Sequence, residues 1–390
     1  MGADIGRRLC EVRKRRGMTQ RELATESGVS VSLIRKLEQG ERATVRLETA
    51  RRLAVTLGVP TTSLLEAPVD DVTPSADGTW TAVREALRAP SSGAVQEAPT
   101  VGGVRDALAA AEPLFAGDRL RQLSVVLPSL IRDADSVADL DDEGRALRTR
   151  VMQLTGWLLT QTRQFDAADE ALGRALDGAP DTSRAAVTVS TRCWLLLRTG
   201  RIDEAGRLAE RWASEIEPRM SRASKGELSA WGWLLLRASA AAVRDNRPDD
   251  ADDAMRLAHS AAVAMGCEAA PGGDFLQAFG PLTVVLKRAE NAMVTDRPDL
   301  VLSMAAKVRP SEMRPTSNNR NRHLLDVANA QVAMRRYGEA VDVLEDIRHA
   351  APEWLANQRY AQDVLRRIVT HRRTLTPEMR ALADAVGLPL

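Results

Sequence analysis

Residues 18–38, MTQRELATESGVSVSLIRKLE, decide the fold of the amino-terminal part of the chain, because they spell two short helices joined by a tight turn. The Thr19 hydroxyl is placed to cap the first helix and Glu22, three residues on, completes a capping box, with Met18 and Leu23 at the flanking staple positions. Gly28 falls where a left-handed residue must end the helix, Val29 plugs the turn, and Ser30 can cap a second helix running to about Gln39. Leu23, Ala24, Val29, Ile34 and Leu37 lie where the two helices face each other, and Ala24 is small enough to let them cross closely. Val31, Ser32, Arg35 and Lys36 are left outward on the second helix.

Read from Thr19 to Gly40, the chain spells T-Q-x-x-L-A-x-x-x-G-V-S-x-x-x-I-x-x-x-E-x-G. In this motif it resembles the Xre/Cro-type, lambda-repressor-like helix-turn-helix regulators. The resemblance continues through IGRRLCEVRKRRG before the motif and RLETARRLAVTLGVPTTSLL after it, about residues 3–66. It implies a five-helix DNA-binding domain over residues 1–66, with helices at about Ile5–Arg16, Val45–Leu57 and Thr61–Leu65 around the central pair. It also implies that Arg13 pairs with Glu38, tying the first helix to the end of the recognition helix, and that Gln20 clamps a phosphate.

An α-helix fits the major groove and reads base edges from its first two turns. Val31 can touch a thymine methyl, Ser30 and Ser32 can donate or accept, and Arg35 or Lys36 can reach guanine or a phosphate. Arg21 and Arg42 add cations beside them. Alternatively, these are ordinary exposed polar residues of a small helical domain.

The charge is distributed to suit that reading. The 390-residue chain has a net charge of +1, but residues 1–66 hold 13 Lys and Arg against 8 Asp and Glu, so the basic surplus sits on the motif domain. Apolar residues make up 44% and aromatic residues only 3%, with helical spacing almost throughout, so the whole chain reads as all-α. Residues 67–102, rich in Pro, Gly, Ser and Ala, read as a linker containing one short helix, whose Trp80, Val83 and Leu87 form a patch for docking on the chain's own later domain or on a partner subunit.

From 103 to 390 the chain is a train of amphipathic helices with a weak internal repeat. GWLLTQTRQFDAADEAL at 156, CWLLLRTGRIDEAGRLA at 193 and GWLLLRASAAAV at 232 place Trp157, Trp194 and Trp233 at spacings of 37 and 39 residues. These units resemble tetratricopeptide-like repeats, which implies an α-solenoid of helix pairs with a concave groove for a peptide or small-molecule effector. The three tryptophans read as core, the alternative being a shelf for ligand stacking. Asn318, Asn319, Arg320, Asn321 and Arg322 form the densest cluster of amide and guanidinium donors, and Asn291 and Asn329 sit in helices where asparagine is a poor former; these are the candidate ligand residues, the alternative being caps and solvated polar groups.

Nothing in the sequence points to catalysis, a metal or a cofactor. Phosphate-loop, zincin and nucleophile-elbow motifs are absent, PGGD at 271 is an isolated loop, and His259, His323, His349 and His371 lack ligand spacing. Cys10, Cys193 and Cys267 read as reduced thiols, and with neither a leader nor a spanning segment the protein is expected in the cytoplasm. The sum of these readings is a homodimeric regulator bound to a double-stranded DNA operator with inverted half-sites. The competing reading is an autoregulated antitoxin-like or adaptor protein whose repeats bind a protein partner.

Overall fold

The computed structural model describes residues 4–42, 45–64, 78–88, 98–308, 317–372 and 374–389. Among them every regular element is helical, apart from an isolated antiparallel bridge between Ala269 and Phe279.

The first unit comprises α1 (Asp4–Arg15), α2 (Gln20–Ser27), α3 (Val31–Glu38), α4 (Leu47–Leu57) and a single 3-10 turn, Thr61–Ser63. Its local signals act as chemistry requires. Thr19 Oγ1 accepts the Glu22 amide at 3.2 Å while Glu22 Oε2 accepts the Thr19 amide at 2.7 Å, which starts α2. Gly28, at φ 67°, ends it, and Ser30 Oγ accepts the Leu33 amide to start α3. Leu9, Leu23, Ile34, Leu37, Leu53 and Leu57 are fully buried between these helices. Gly6 brings α1 onto the end of α3 so closely that a β-carbon would overlap the Leu37 carbonyl. The fourth helix starts two residues later than Val45, after the Arg46 cap, and of the helix expected over Thr61–Leu65 the described residues show the 3-10 turn Thr61–Ser63, Leu65 lying outside them.

Next comes α5 (Thr81–Arg88), the helix expected within the linker. Val83 and Leu87 of this helix, with Trp80 from the 3-10 turn Gly78–Trp80 just before it, pack on the chain itself, inside the core formed with the helices that follow. Those are α6 (Val101–Ala116), α7 (Leu120–Val137), α8 (Asp142–Gln161), α9 (Phe165–Asp177), α10 (Thr182–Arg198), α11 (Ile202–Glu215), α12 (Lys225–Arg244) and α13 (Pro248–Met265). The chain goes on through α14 (Pro281–Val294), α15 (Pro298–Ala305), α16 (Ser317–Ala333) and α17 (Tyr337–Ala350), and ends in α18 (Pro352–Ala356), α19 (Arg359–Thr370) and α20 (Pro377–Val386).

Six consecutive pairs, α6/α7 through α16/α17, are joined by one recurring turn. In each, a single residue takes the left-handed conformation: Asp118, Arg163, Gly200, Asn246, Asp296 and Arg335, with φ between 53° and 77°. The next residue is the N-cap of the second helix, with ψ between 61° and 76°, and the one after it is apolar or Pro: Leu120, Phe165, Ile202, Pro248, Pro298 and Tyr337. One backbone solution is therefore used six times, although four different residue types hold the left-handed position.

Between α13 and α14 the chain departs from this pattern. Residues 266–280 form two 3-10 turns closed by the Ala269–Phe279 bridge. The loop is fastened from several sides: Arg150 pairs with Asp274 at 2.9 Å, Trp233 Nε1 donates to the Ala278 carbonyl at 3.0 Å, and Phe275 meets the edge of Trp157 at 5.3 Å. PGGD is accordingly a tethered part of the helical unit, not an isolated loop. The three cysteines are unpaired thiols.

Candidate nucleic-acid interface and an inner cavity

The outward face of α3 is a compact polar strip. Ser32, Arg35 and Lys36 are exposed, Val31 is half-buried, and the exposed Ser30 and Arg21 flank them. The Arg42 amide donates to the Lys36 carbonyl at 3.1 Å, folding the following loop back so that Arg42 lies near the end of the same helix. An anion reaching this face meets guanidinium, ammonium and hydroxyl groups on one side of a short, rigid helix.

The rigidity comes from beneath. Arg13 holds Glu38 in a fork, Nε to Oε1 at 2.6 Å and Nη2 to Oε2 at 2.7 Å, with both side chains nearly buried. The third guanidinium nitrogen donates to the Met18 carbonyl at 2.8 Å, so one side chain joins α1, the start of α2 and the end of α3. Gln20 donates its amide to Glu38 Oε2 at 2.8 Å, an intramolecular partner for the side chain expected to face a phosphate. Burial pushes the Glu38 carboxyl up, but the hydrogen bonds from Arg13 and Gln20 and the Arg13 charge together outweigh it and leave its pKa below the ordinary value.

The opposite side of this domain rests on the helical pairs. Arg51 Nε donates to the Val243 carbonyl at 3.0 Å and Thr61 Oγ1 to the Arg244 carbonyl at 2.8 Å. Asp245 Oδ1, just past α12, accepts from both the Thr62 amide and its hydroxyl, at 2.9 and 2.8 Å. Leu47 packs against Leu196, Ile202, Ala205 and Ala241. The end of α12 is thus gripped by α4 and the Thr61–Ser63 turn of the DNA-binding unit.

The helical pairs line a partly open cavity of about 320 Å³. Trp157, Trp194 and Trp233 all contribute to its wall; Trp157 and Trp233 are 8% and 7% exposed, so the tryptophans are core on one side and cavity lining on the other. Asn318, Asn319 and Arg322 reach this wall, and Asn318 Oδ1 accepts the Trp354 indole at 2.9 Å. The remaining candidates lie elsewhere. Asn291 spends its amide on Ser239 at 2.8 Å, Asn329 accepts from Arg367, Asn321 is fully buried, and Arg320 lies against Asn321 at 3.4 Å. What sequence reading overlooked is the run of cations beside the tryptophans, including Arg198, Arg237 and Lys287; the available signal was WLLLR, which occurs twice and puts Arg198 and Arg237 one helical turn after Trp194 and Trp233.

Among the described residues, no cluster of His, Cys, Asp and Glu could hold a metal ion, and no helix is long and apolar enough to cross a membrane. The helix-turn-helix family matches residues 11–64. An uncharacterized HTH-type transcriptional regulator of Bacillus subtilis (strain 168), RghRB, is 40% identical over 63 residues, which are 16% of this chain and 45% of that protein. The chain therefore spans under half the length of that relative. No solved structure matches the chain. By sequence and by structure, the amino-terminal unit is an Xre-type helix-turn-helix domain.

Proposed function

We propose that the protein is a sequence-specific, DNA-binding transcriptional regulator that lays α3 in the major groove and carries its effector site in the carboxy-terminal helical pairs. The observation that carries the reading is the exposed strip of Ser32, Arg35 and Lys36 on a helix braced by the Arg13–Glu38 fork, with Arg42 folded back beside it from the next loop. A homodimer on inverted half-sites follows from this reading, because one short helix contacts too few bases to select a site in a genome. The recurring turn supports reading the helical pairs as a tetratricopeptide-like superhelix, whose inner face is the usual place for a ligand. The cavity's volume, about 320 Å³, favours a small molecule over an extended peptide.

The test is fluorescence anisotropy of the full-length protein on DNA from upstream of its own gene, against unrelated duplex, at two salt concentrations. Tight, salt-sensitive binding that unrelated duplex fails to displace is expected. Equal affinity for both duplexes would remove the regulator reading.

A further inference from the structure

The cavity wall carries seven Lys and Arg side chains but only two carboxylates, Glu290 and Asp363. Both carboxylates are engaged. Glu290 binds Arg244 at 2.7 Å and Lys287 at 3.0 Å, and Asp363 binds Arg366 and, at 3.4 Å, Arg46. Arg198 and Arg237 form no ion pair among the described residues. Their guanidiniums lie instead over rings: Arg198 at 5.5 Å from the centroid of Trp194, Arg237 at 5.0 Å from Trp233 and 6.0 Å from Trp194. Arg198 also lies 6.0 Å from the Phe165 ring centroid, and Arg237 Nε donates to the Ser190 carbonyl at 3.1 Å and to its hydroxyl at 3.4 Å.

A ring face offsets only part of what a guanidinium loses when it leaves water. The strain is visible in the acid-base balance. Burial, with Arg163 and Arg322 nearby, pulls Arg198 down to about 9, and burial pulls Arg237 down to about 10, so both stay charged at neutral pH in surroundings that disfavour charge. Two planar forks held on aromatic faces, with a cavity in front of them, are shaped for phosphate or carboxylate oxygens.

The same cavity reaches the end of α12, on which the amino-terminal unit is seated. Arg244 holds Glu290 with its side chain inside, while its own carbonyl accepts from Thr61 of the DNA-binding unit outside. An anion among these cations competes with Glu290 for Arg244 and Lys287, and so acts on the end of α12 where that unit is seated.

We propose that this cavity binds a small organic anion bearing phosphate or carboxylate groups, held by Arg198 and Arg237 and reported to the DNA-binding unit through Arg244. The second half rests on the regulator reading; the first does not.

Thermal unfolding of the full-length protein decides the first half, with submillimolar pyrophosphate and citrate as the phosphate and carboxylate probes and sodium chloride of matched ionic strength as control. At least one probe is expected to raise Tm by about 5 °C at a hundredfold excess over its Kd. Arg198→Gln with Arg237→Gln should melt no lower than the parent without a probe and show no shift with one; Arg198→Gln alone should lose most of the shift. Neither probe exceeding the salt control, or full shifts in the double variant, would overturn the assignment. For the second half, the active probe should change operator affinity at least fivefold in the parent. In Thr61→Val/Thr62→Ala that change should vanish while the Tm shift persists. A Tm shift with unchanged operator affinity would overturn the transmission through Arg244, and failure to find any operator would sink the regulator reading while the thermal result still decides the cavity.

Discussion

Replacing Arg13 by alanine strands a carboxylate. Glu38 is nearly buried and receives two hydrogen bonds from Arg13 and one from Gln20, with the Cys10 thiol also against it. Removing one partner of a buried pair costs about 3–5 kcal/mol, and the Gln20 bond that survives puts the expected loss near the lower end, about 3 kcal/mol. Amide hydrogen exchange reads this locally. Protected amides of α1–α3 should exchange about a hundredfold faster or more, with those of α12 and α13 unchanged. The pH dependence should change sign as well. In the parent, the Glu38 pKa lies below its unfolded value, so its contribution is complete above the ordinary carboxylate range and is lost as pH falls through the lower folded value. Without Arg13, burial dominates and raises the folded pKa, so the deficit of the variant should shrink on acidification. Adding Glu38→Gln removes the stranded charge and should recover most of the loss, to within about 1 kcal/mol of the parent. If the double variant exchanges as fast as Arg13→Ala, the loss comes from packing and the bond to the Met18 carbonyl, and the ion-pair argument fails.

Lys36→Ala should weaken operator binding and relax base preference at one position, whereas Arg42→Ala should weaken binding evenly and reduce the salt slope by about one; anisotropy against base-substituted operators separates the two. Gly6→Ala should push α1 off α3 and lower the thermal stability of the amino-terminal unit, because its β-carbon meets the Leu37 backbone carbonyl, which cannot move aside cheaply. Gly200→Asn should be nearly neutral in urea denaturation, since Asn246 holds the equivalent turn position, while Gly200→Val should cost about 1 kcal/mol or more at φ 77°. His323 is 2% exposed with neither ring nitrogen hydrogen-bonded, and burial beside Lys287 lowers it to about 4. The unfolded chain then takes up a proton at higher pH than the folded one, so stability falls as pH drops from about 6.5 to 4; His323→Leu should remove about 3 kcal/mol of that fall in denaturant titrations.

The parts of the fold that could be read from sequence are those whose causes are local. Thr19, Glu22, Gly28 and Ser30 each act on a backbone within three residues, so α2 and α3 start and stop where those residues say. The repeat was half legible. Its tryptophans stood out, but the recurring turn did not, because its left-handed position is filled by Asp, Arg, Gly and Asn at intervals varying from 37 to 50 residues. The loop at 266–280 was unreadable for a different reason: its tether, Arg150 to Asp274, spans 124 residues and depends on how the pairs stack. The same holds for the cavity. Arg198 and Arg237 each follow a tryptophan by four residues, so their contacts with Trp194 and Trp233 are local to one helix; only the packing of α10 against α12 brings the two pairs to one cavity.

That difference separates two kinds of asparagine and arginine in this chain. The cluster at 318–322 stood out by density, yet it divides once the helix is placed, since residues on one helix point in different directions. Asn318, Asn319 and Arg322 face the cavity, whereas Asn321 is fully buried. Arg322 lies 3.6 Å from Asp326 and stacks 4.5 Å from the Tyr360 ring centroid. Burial lifts Asp326 to about 6, with the neighbouring Arg322 holding it back from a larger rise. A carboxylate that costly to keep charged needs its cation, so Arg322 is tied in place and is less available to an incoming anion than Arg198 or Arg237. Donor density in the sequence thus marks where helix packing needed internal partners, whereas the groups suited to a ligand are Arg198 and Arg237, which lie over aromatic faces and form no ion pair among the described residues.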